Sequence, residues 1–320
     1  MSRRDYRQMT FADTLVAGKA RRRERLSRLD DLAGLLDWSR VDRLLDGVHA
    51  SVRGPEGYPP LCMVKALLLA QWYDLSDPKL EDALADRLSF RRFCGFPLGE
   101  ETPDETSFVR FRARLRADGL YGKLFAEVNR QLEGKGLMVK SGTLVDATII
   151  EARAKPPGPK EGEVSDVDPD AGFTKKRGRS HFGYKLHTGV DEGSGLIRSV
   201  ETTSADVHDS LAFKALVMGD EGAVYADKAY GSQKHRDFLK THGIGDGLMY
   251  KAARNRPLKP WQTWFNVAVS SIRAGVERVY GTGKTAYGLG QTRYFGEERV
   301  AADHLAFATA YNLRRALSLT

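Results

Sequence analysis

Apolar positions change their spacing once along this 320-residue chain, near residue 136. Up to that point they recur at helical intervals. Leu32, Leu35, Leu36, Val41, Leu44 and Leu45 predict one or two short helices. Gly54, Pro55, Gly57 and Pro59 mark a turn, and Pro60 opens a helix carrying Met63, Val64, Leu67, Leu68 and Trp72. Asp77-Pro78 reads as a cap followed by proline at the first helical position, starting a helix with Leu80, Leu84 and Leu88. Phe90, Phe93 and Phe96 read as core side chains. Thr102-Pro-Asp-Glu105 reads as a capping box for a helix through Phe108, Phe111 and Leu115. The other faces of that helix carry Arg110, Arg112, Arg114 and Arg116. Gly119 breaks it, and a last helix with Leu120, Leu124, Phe125, Val128 and Leu132 ends near Gly134. This is an all-helical unit, for which helix-turn-helix DNA binding and plain bundle packing both stay open.

From Leu137 the spacing shortens to that of strands. Gly142-Thr-Leu-Val-Asp-Ala-Thr-Ile-Ile150 is the most β-prone run of the chain, with Asp146 at its centre. The polar, proline-rich stretch from about 153 to 176 predicts an exposed loop. Phe182, Tyr184, Leu186, Thr188 and Val190 alternate with Lys185 and His187, and Leu196–Thr203 follows after a turn, so the two runs predict a hairpin. A helix over about 209–218, a strand Ala223–Ala226, a helix over 231–241 and a short strand Leu248–Tyr250 come next. A helix through Trp264, Phe265, Val269, Ile272, Val276 and Val279 and a terminal helix over about 300–317 close the chain. The order predicts an α/β fold, a mixed five-stranded sheet flanked by helices, preceded by the helical unit. The expected divisions are a basic arm at 1–28, a helical domain at 29–136 and a sheet domain at 137–320.

Composition narrows the function classes. Two cysteines are too few for a disulfide framework or a cysteine-rich zinc module and suggest a reducing compartment, with Cys62 and Cys94 as core thiols. The polar, arginine-rich N-terminus lacks the apolar core of a secretory signal, and no uncharged segment reaches membrane-spanning length. The net charge of +8 is unevenly spread. Residues 1–28 carry nine basic and three acidic side chains, residues 251–284 seven and one, and residues 175–185 five basic and none acidic. Such surface attracts polyanions. Arg21, Arg22 and Arg23 are candidate phosphate contacts on a basic arm, which would add affinity without reading sequence.

Three carboxylates are the candidate chemistry. Asp146 interrupts a strand whose neighbours are apolar, and a charge there needs a partner. Asp227 follows the strand Ala223–Ala226. Glu277 sits in a late helix four residues after Arg273 and seven before Lys284, although Gly281 and Gly283 leave open whether the helix reaches that lysine. If the two strands adjoin, both aspartates converge and the helix supplies the glutamate. Three carboxylates together repel and call for a cation. Hard oxygen ligands suit Mg²⁺ or Mn²⁺, and such centres commonly hold two ions. Lys185, Lys228, Tyr230, Arg273 and Lys284 are candidate DNA contacts around this centre. Asp209 reads as a cap or a substrate contact. His181 and His187 lack the partners for a tetrahedral zinc site, and Gly281-Thr-Gly-Lys-Thr285 lacks the spacing of a phosphate loop. For Trp261 and Trp264, base stacking and packing both remain open.

The segments Leu144-Val-Asp-Ala-Thr148, Gly183-Tyr-Lys-Leu-His187, Tyr225-Ala-Asp-Lys-Ala-Tyr230 and Arg273-Ala-Gly-Val-Glu-Arg-Val-Tyr-Gly-Thr-Gly-Lys284 together resemble the RNase H-like catalytic domain of DDE transposases, specifically the IS5 group of bacterial insertion sequences. The helical unit is also similar to the N-terminal domain of these proteins. One departure is Ser270, where the family often has tyrosine three residues before the arginine. The resemblance implies that Asp146, Asp227 and Glu277 form a metal-binding triad. It implies double-stranded DNA with terminal inverted repeats and a target DNA as partners, and a homodimer or larger homo-oligomer. The implied reaction is hydrolysis that frees a 3′-hydroxyl, which then attacks the target. The implied location is the bacterial cytoplasm, on the nucleoid when bound to DNA. An RNase H-like endonuclease or resolvase without strand transfer, and a catalytically inactive DNA-binding protein, are the alternatives.

Overall fold

The computed structural model describes residues 24–48, 57–156, 164–176 and 178–320. Arg21, Arg22, Arg23 and most of the predicted arm lie outside the described residues, as does part of the predicted 153–176 loop. The chain divides into two compact units. One holds the described residues up to Gly134 together with Thr309–Thr320, and the other holds Lys135–Ala308. Among the described residues, no helix is long and apolar enough to cross a membrane.

The first unit is helical, as its spacing predicts: α1 (Glu24–Leu35), α2 (Trp38–Leu44), α3 (Pro60–Tyr73), α4 (Asp77–Asp86), α5 (Leu88–Cys94), α6 (Glu105–Ala117) and α7 (Leu120–Gly134). α3 is apolar nearly all round and is buried on nearly every face, which makes it the centre of the bundle. The Trp72 indole on this helix donates to Ala310 O at 2.8 Å. Two starts differ from expectation by a residue or two. Ser76, not Asp77, precedes α4; Asp77 is the first helical residue and forms an ion pair with Arg112. Asp104, not Thr102, caps α6, accepting from Ser107 N at 2.7 Å. Cys62 and Cys94 are buried free thiols.

The second unit carries β1 (Thr143–Glu151), β2 (Gly172–Lys176), β3 (Arg179–Asp191), β4 (Ile197–Ser204), a short 3₁₀ turn (Asp209–Leu211), α8 (Phe213–Leu216), β5 (Ala223–Ala226), α9 (Gln233–Thr241), β6 (Gly245–Leu248), α10 (Pro260–Ala286) and α11 (Glu297–Leu317), the last of which also contributes to the first unit. Among the described residues the sheet is mixed and has six strands rather than five. The extra strand, β2, forms at the end of the predicted loop by pairing antiparallel with β3. Its composition is polar because its side chains are mostly exposed, so no apolar signal marks it. The last strand falls at Gly245–Leu248, three residues earlier than predicted, and the helix predicted at 209–218 is only a 3₁₀ turn followed by one turn of α8.

β1 lies between β3, which runs antiparallel to it, and β5, which runs parallel. Alternation along β1 then sorts its residues. Val145 enters an apolar cluster with Phe213, Leu216, Val224, Ala226, Tyr230, Leu239 and Leu248. Leu144 and Asp146 take the other face, where α10 packs; a side chain at Gly275 of α10 would stand 3.0 Å from Leu144 Cδ1. Both faces of β3 are covered, so His187 is as buried as Leu186, although alternation placed it on the polar side.

Candidate active site

Parallel pairing sets Val145 opposite Ala226, and the next step on each strand is Asp146 and Asp227. Asp227 itself lies one residue beyond the paired strand, and its charge acts on the Asp146 carboxyl. Asp227 leaves the end of β5 in a tight turn, in which its Oδ1 accepts from Ala229 N at 2.8 Å and its O from Tyr230 N at 3.1 Å. The carboxylate is thereby oriented by its own turn.

α10 runs unbroken through Gly281 and Gly283 to Ala286, so Arg273, Glu277, Tyr280 and Lys284 share one face. Three of these touch β1. Arg273 Nη2 lies 3.3 Å from Asp146 Oδ1. The Tyr280 hydroxyl donates to Asp146 O at 2.7 Å and lies 2.8 Å from Thr188 Oγ1. Lys284 Nζ donates to Ile149 O at 3.1 Å. Glu277 lies on α10 between Arg273 and Tyr280, which contact the Asp146 side chain and backbone, and its own side chain is exposed. Tyr280 has no part in the sequence-based site. Its only signal is its place three residues after Glu277, which has the same spacing as ordinary packing.

Burial raises the Asp146 carboxyl from 3.8 to about 6, the Arg273 guanidinium opposes that rise, and the charge of Asp227 adds to it. Two carboxylates that repel and a third on the helix above form a hard-oxygen donor set, which suits a divalent cation. Among the described residues, no three His, Cys, Asp or Glu side chains are drawn together tightly enough to enclose an ion. The donors fit a divalent metal by the chemistry of their oxygens, and Glu277 is the exposed member. Arg273 Nε is buried and lacks a hydrogen-bond partner. Its guanidinium thus has spare donor capacity beside Asp146.

The other predicted contacts separate. Lys228 is exposed at the turn after Asp227. Lys284 is exposed but anchored on β1. Tyr230 is not at the surface: only 1% of it is accessible, and it packs with Phe213 in the apolar cluster. Alternating chemistry in Ala-Asp-Lys-Ala-Tyr does not reveal that the turn folds this ring inward. Lys185 is also turned inward, donating to Val207 O at 2.7 Å and pairing with Asp209 Oδ1 at 2.9 Å. Asp209 is not the cap of the 3₁₀ turn, which is His208; it pairs with Lys185 instead. Trp261 and Trp264 are exposed on α10.

A family model described as a transposase DDE domain matches residues 138–313. A second, described as a transposase domain of the DUF772 type, matches residues 18–114. No solved structure matches the chain.

Proposed function

Because the chain belongs to the transposase DDE domain family, we propose that it cuts DNA at the ends of a mobile element and joins the freed 3′-hydroxyl strand to target DNA, with Asp146, Asp227 and Glu277 as its metal-holding carboxylates. Membership brings transposition and DNA cleavage as the general activity, and domains of this family work with divalent metal ions. The observation that supports the finer reading is the parallel pairing of β1 with β5 up to Val145 and Ala226, each one residue before a candidate aspartate, together with the charge of Asp227 acting on Asp146. Mg²⁺ or Mn²⁺ bound there, as two ions, would lower the pKa of the attacking water or 3′-hydroxyl and stabilise the leaving oxygen.

The chain's own residues do the rest. Arg273 Nη2 stands 3.3 Å from Asp146 Oδ1 and offsets its charge. Tyr280 fixes the Asp146 backbone against α10. Lys228, exposed beside Asp227, supplies positive charge where a DNA backbone would approach. Terminal inverted repeats as the DNA substrate, a homodimer or larger assembly to hold both ends, the IS5 group and a place on the bacterial nucleoid belong to the same proposal. They are supported by the four motif segments and by the basic surplus of +8.

The test is a cleavage and joining assay on plasmid DNA carrying the sequences that flank the chain's own gene, with Mg²⁺ or Mn²⁺. The wild-type protein is expected to cut and join. Asp146→Asn and Asp227→Asn are expected to do neither while still shifting the DNA in a gel. Full activity in either variant rejects the carboxylate centre, and cutting without joining assigns an RNase H-like nuclease instead.

A further inference from the structure

The fold turns the basic run around Lys175 into a built element. β1 pairs with β3 only as far as Glu151↔Gly183, and β4 pairs with it only as far as Ser204↔Tyr184. Past those pairs β3 continues with β2 alone, from Gly172↔Gly183 to Lys176↔Arg179, as a two-stranded ribbon. The base of the ribbon is fixed. Ala152 N donates to Phe182 O at 2.8 Å, His181 Nδ1 meets Glu151 Oε1, and the Phe173 and Phe182 rings stand 4.9 Å apart. Lys175, Lys176 and Arg179 are exposed. Lys176 and Arg179 are direct cross-strand partners, so their side chains leave the same face of the ribbon. Like charges opposed in this way repel. No Asp or Glu occurs between Ala171 and Val190 to offset them. A third cation is near. Lys284 is anchored by Nζ on Ile149 O at 3.1 Å; burial lowers its ammonium, and the charge of Lys176 lowers it further, against Glu151. Burial raises the Asp146 carboxyl, and Lys176, after Arg273, is among the charges that oppose the rise. The end of the ribbon is therefore within electrostatic range of both α10 and the carboxylate centre.

Cations that repel one another at a surface attract a polyanion, and a two-stranded ribbon has the width that the DNA major groove admits. Lysine on an edge strand also discourages pairing with a further strand. Lys175 and Lys176 would meet that need alone; it calls for neither Arg179 on the inner strand nor the approach to Lys284. We propose that the β2–β3 ribbon is a DNA-contact element, in which Lys176 and Arg179, together with Lys284, hold backbone phosphates beside Asp146. Such contacts position the strand and carry no sequence information. The proposal rests on DNA as the substrate in the reading above.

The test uses the full chain in chelator and a duplex oligonucleotide of arbitrary sequence, with binding followed by fluorescence anisotropy across a salt series. The double variant Lys176→Gln with Arg179→Gln keeps two long polar side chains and removes two charges. It is expected to weaken binding and to reduce the slope of log affinity against log salt by about two, one for each lost phosphate contact. Because it also removes the opposed pair, its thermal midpoint without DNA is expected to equal or exceed that of the wild type. Lys175→Gln, on the other face of the ribbon, is expected to leave the slope unchanged. If the double variant does not fold, Lys176→Gln alone carries the test, with an expected slope change of about one. An unchanged slope overturns the proposal. So does a slope lowered as much by Lys175→Gln as by Lys176→Gln, since charge would then act by number and not by place. A wild-type chain that binds no duplex rejects the DNA reading itself, whereas one that binds with a slope the double variant shares rejects only the ribbon.

Discussion

Asp146→Asn should make the metal-free protein more stable at pH 7 while removing its metal-dependent activity. The carboxyl titrates at about 6 in the fold against 3.8 as the ordinary value. Between those values the native state holds a proton that the unfolded chain has released. Stability therefore falls as pH rises through the window, and the full penalty is present above about 6. At 1.36 kcal/mol per pH unit the interval corresponds to about 3 kcal/mol. A quarter of the side chain, 26%, is open to solvent, which reduces this to about 2 kcal/mol. Asparagine keeps the shape of the protonated acid without the charge, so it recovers that amount at pH 7 and nothing at pH 3.5. Urea unfolding of both proteins at the two pH values, in chelator, measures the difference. Added Mg²⁺ should then narrow the gap by stabilising only the wild type, by about 1.4 kcal/mol at ten times the dissociation constant. A variant less stable than wild type at pH 7, or a gain of equal size at both pH values, would refute the reasoning, because the Arg273 pair would then outweigh burial.

Tyr280→Phe leaves Asp146 O and Thr188 Oγ1 without their hydroxyl partner and should cost about 1–3 kcal/mol in unfolding experiments; a neutral result would show that the helix does not depend on this bond. Gly183 has φ 153°, and a Cβ there would meet Ile150 O at 2.2 Å and Ala152 N at 2.5 Å, so Gly183→Ala should destabilise by about 3 kcal/mol or more, and a loss under about 0.5 kcal/mol would contradict that geometry. Burial lowers His187 to about 4 and His304 to about 3, both below the ordinary 6.5. The unfolded chain takes up these protons first, so the stability they contribute is present above about 6.5 and is lost as pH falls toward 4 and 3; His304→Gln should flatten acid unfolding monitored by circular dichroism, and an unchanged acid limb would exclude that histidine as a source.

Much of the architecture is legible in one dimension. Helical spacing up to residue 135 and alternation from Leu144 to Thr203 report which side chains must leave water, and that depends on local geometry alone. The same is true of α10, where Val269, Val276 and Val279 mark the buried face and bring Arg273, Glu277 and Lys284 onto a common side. Asp146 stands out in sequence because it is an acid in an apolar strand. Pairings between distant segments are not written that way. β2 has no apolar face to announce it and exists because β3 offers an edge. Tyr230 and Lys185 carry the chemistry of surface contacts, yet one is folded into the core by the Asp227 turn and the other is captured by Asp209. Tyr280 gains its place only because α10 crosses β1 at Asp146. The sequence by itself determined most element types and three candidate acids, since burial and secondary-structure period are properties of neighbouring residues. Only the tertiary structure decided that β1 and β5 pair in parallel with Val145 opposite Ala226, that Tyr230 is folded into the core and that Tyr280 bonds Asp146 O, since these follow from contacts between strands and helices far apart along the chain.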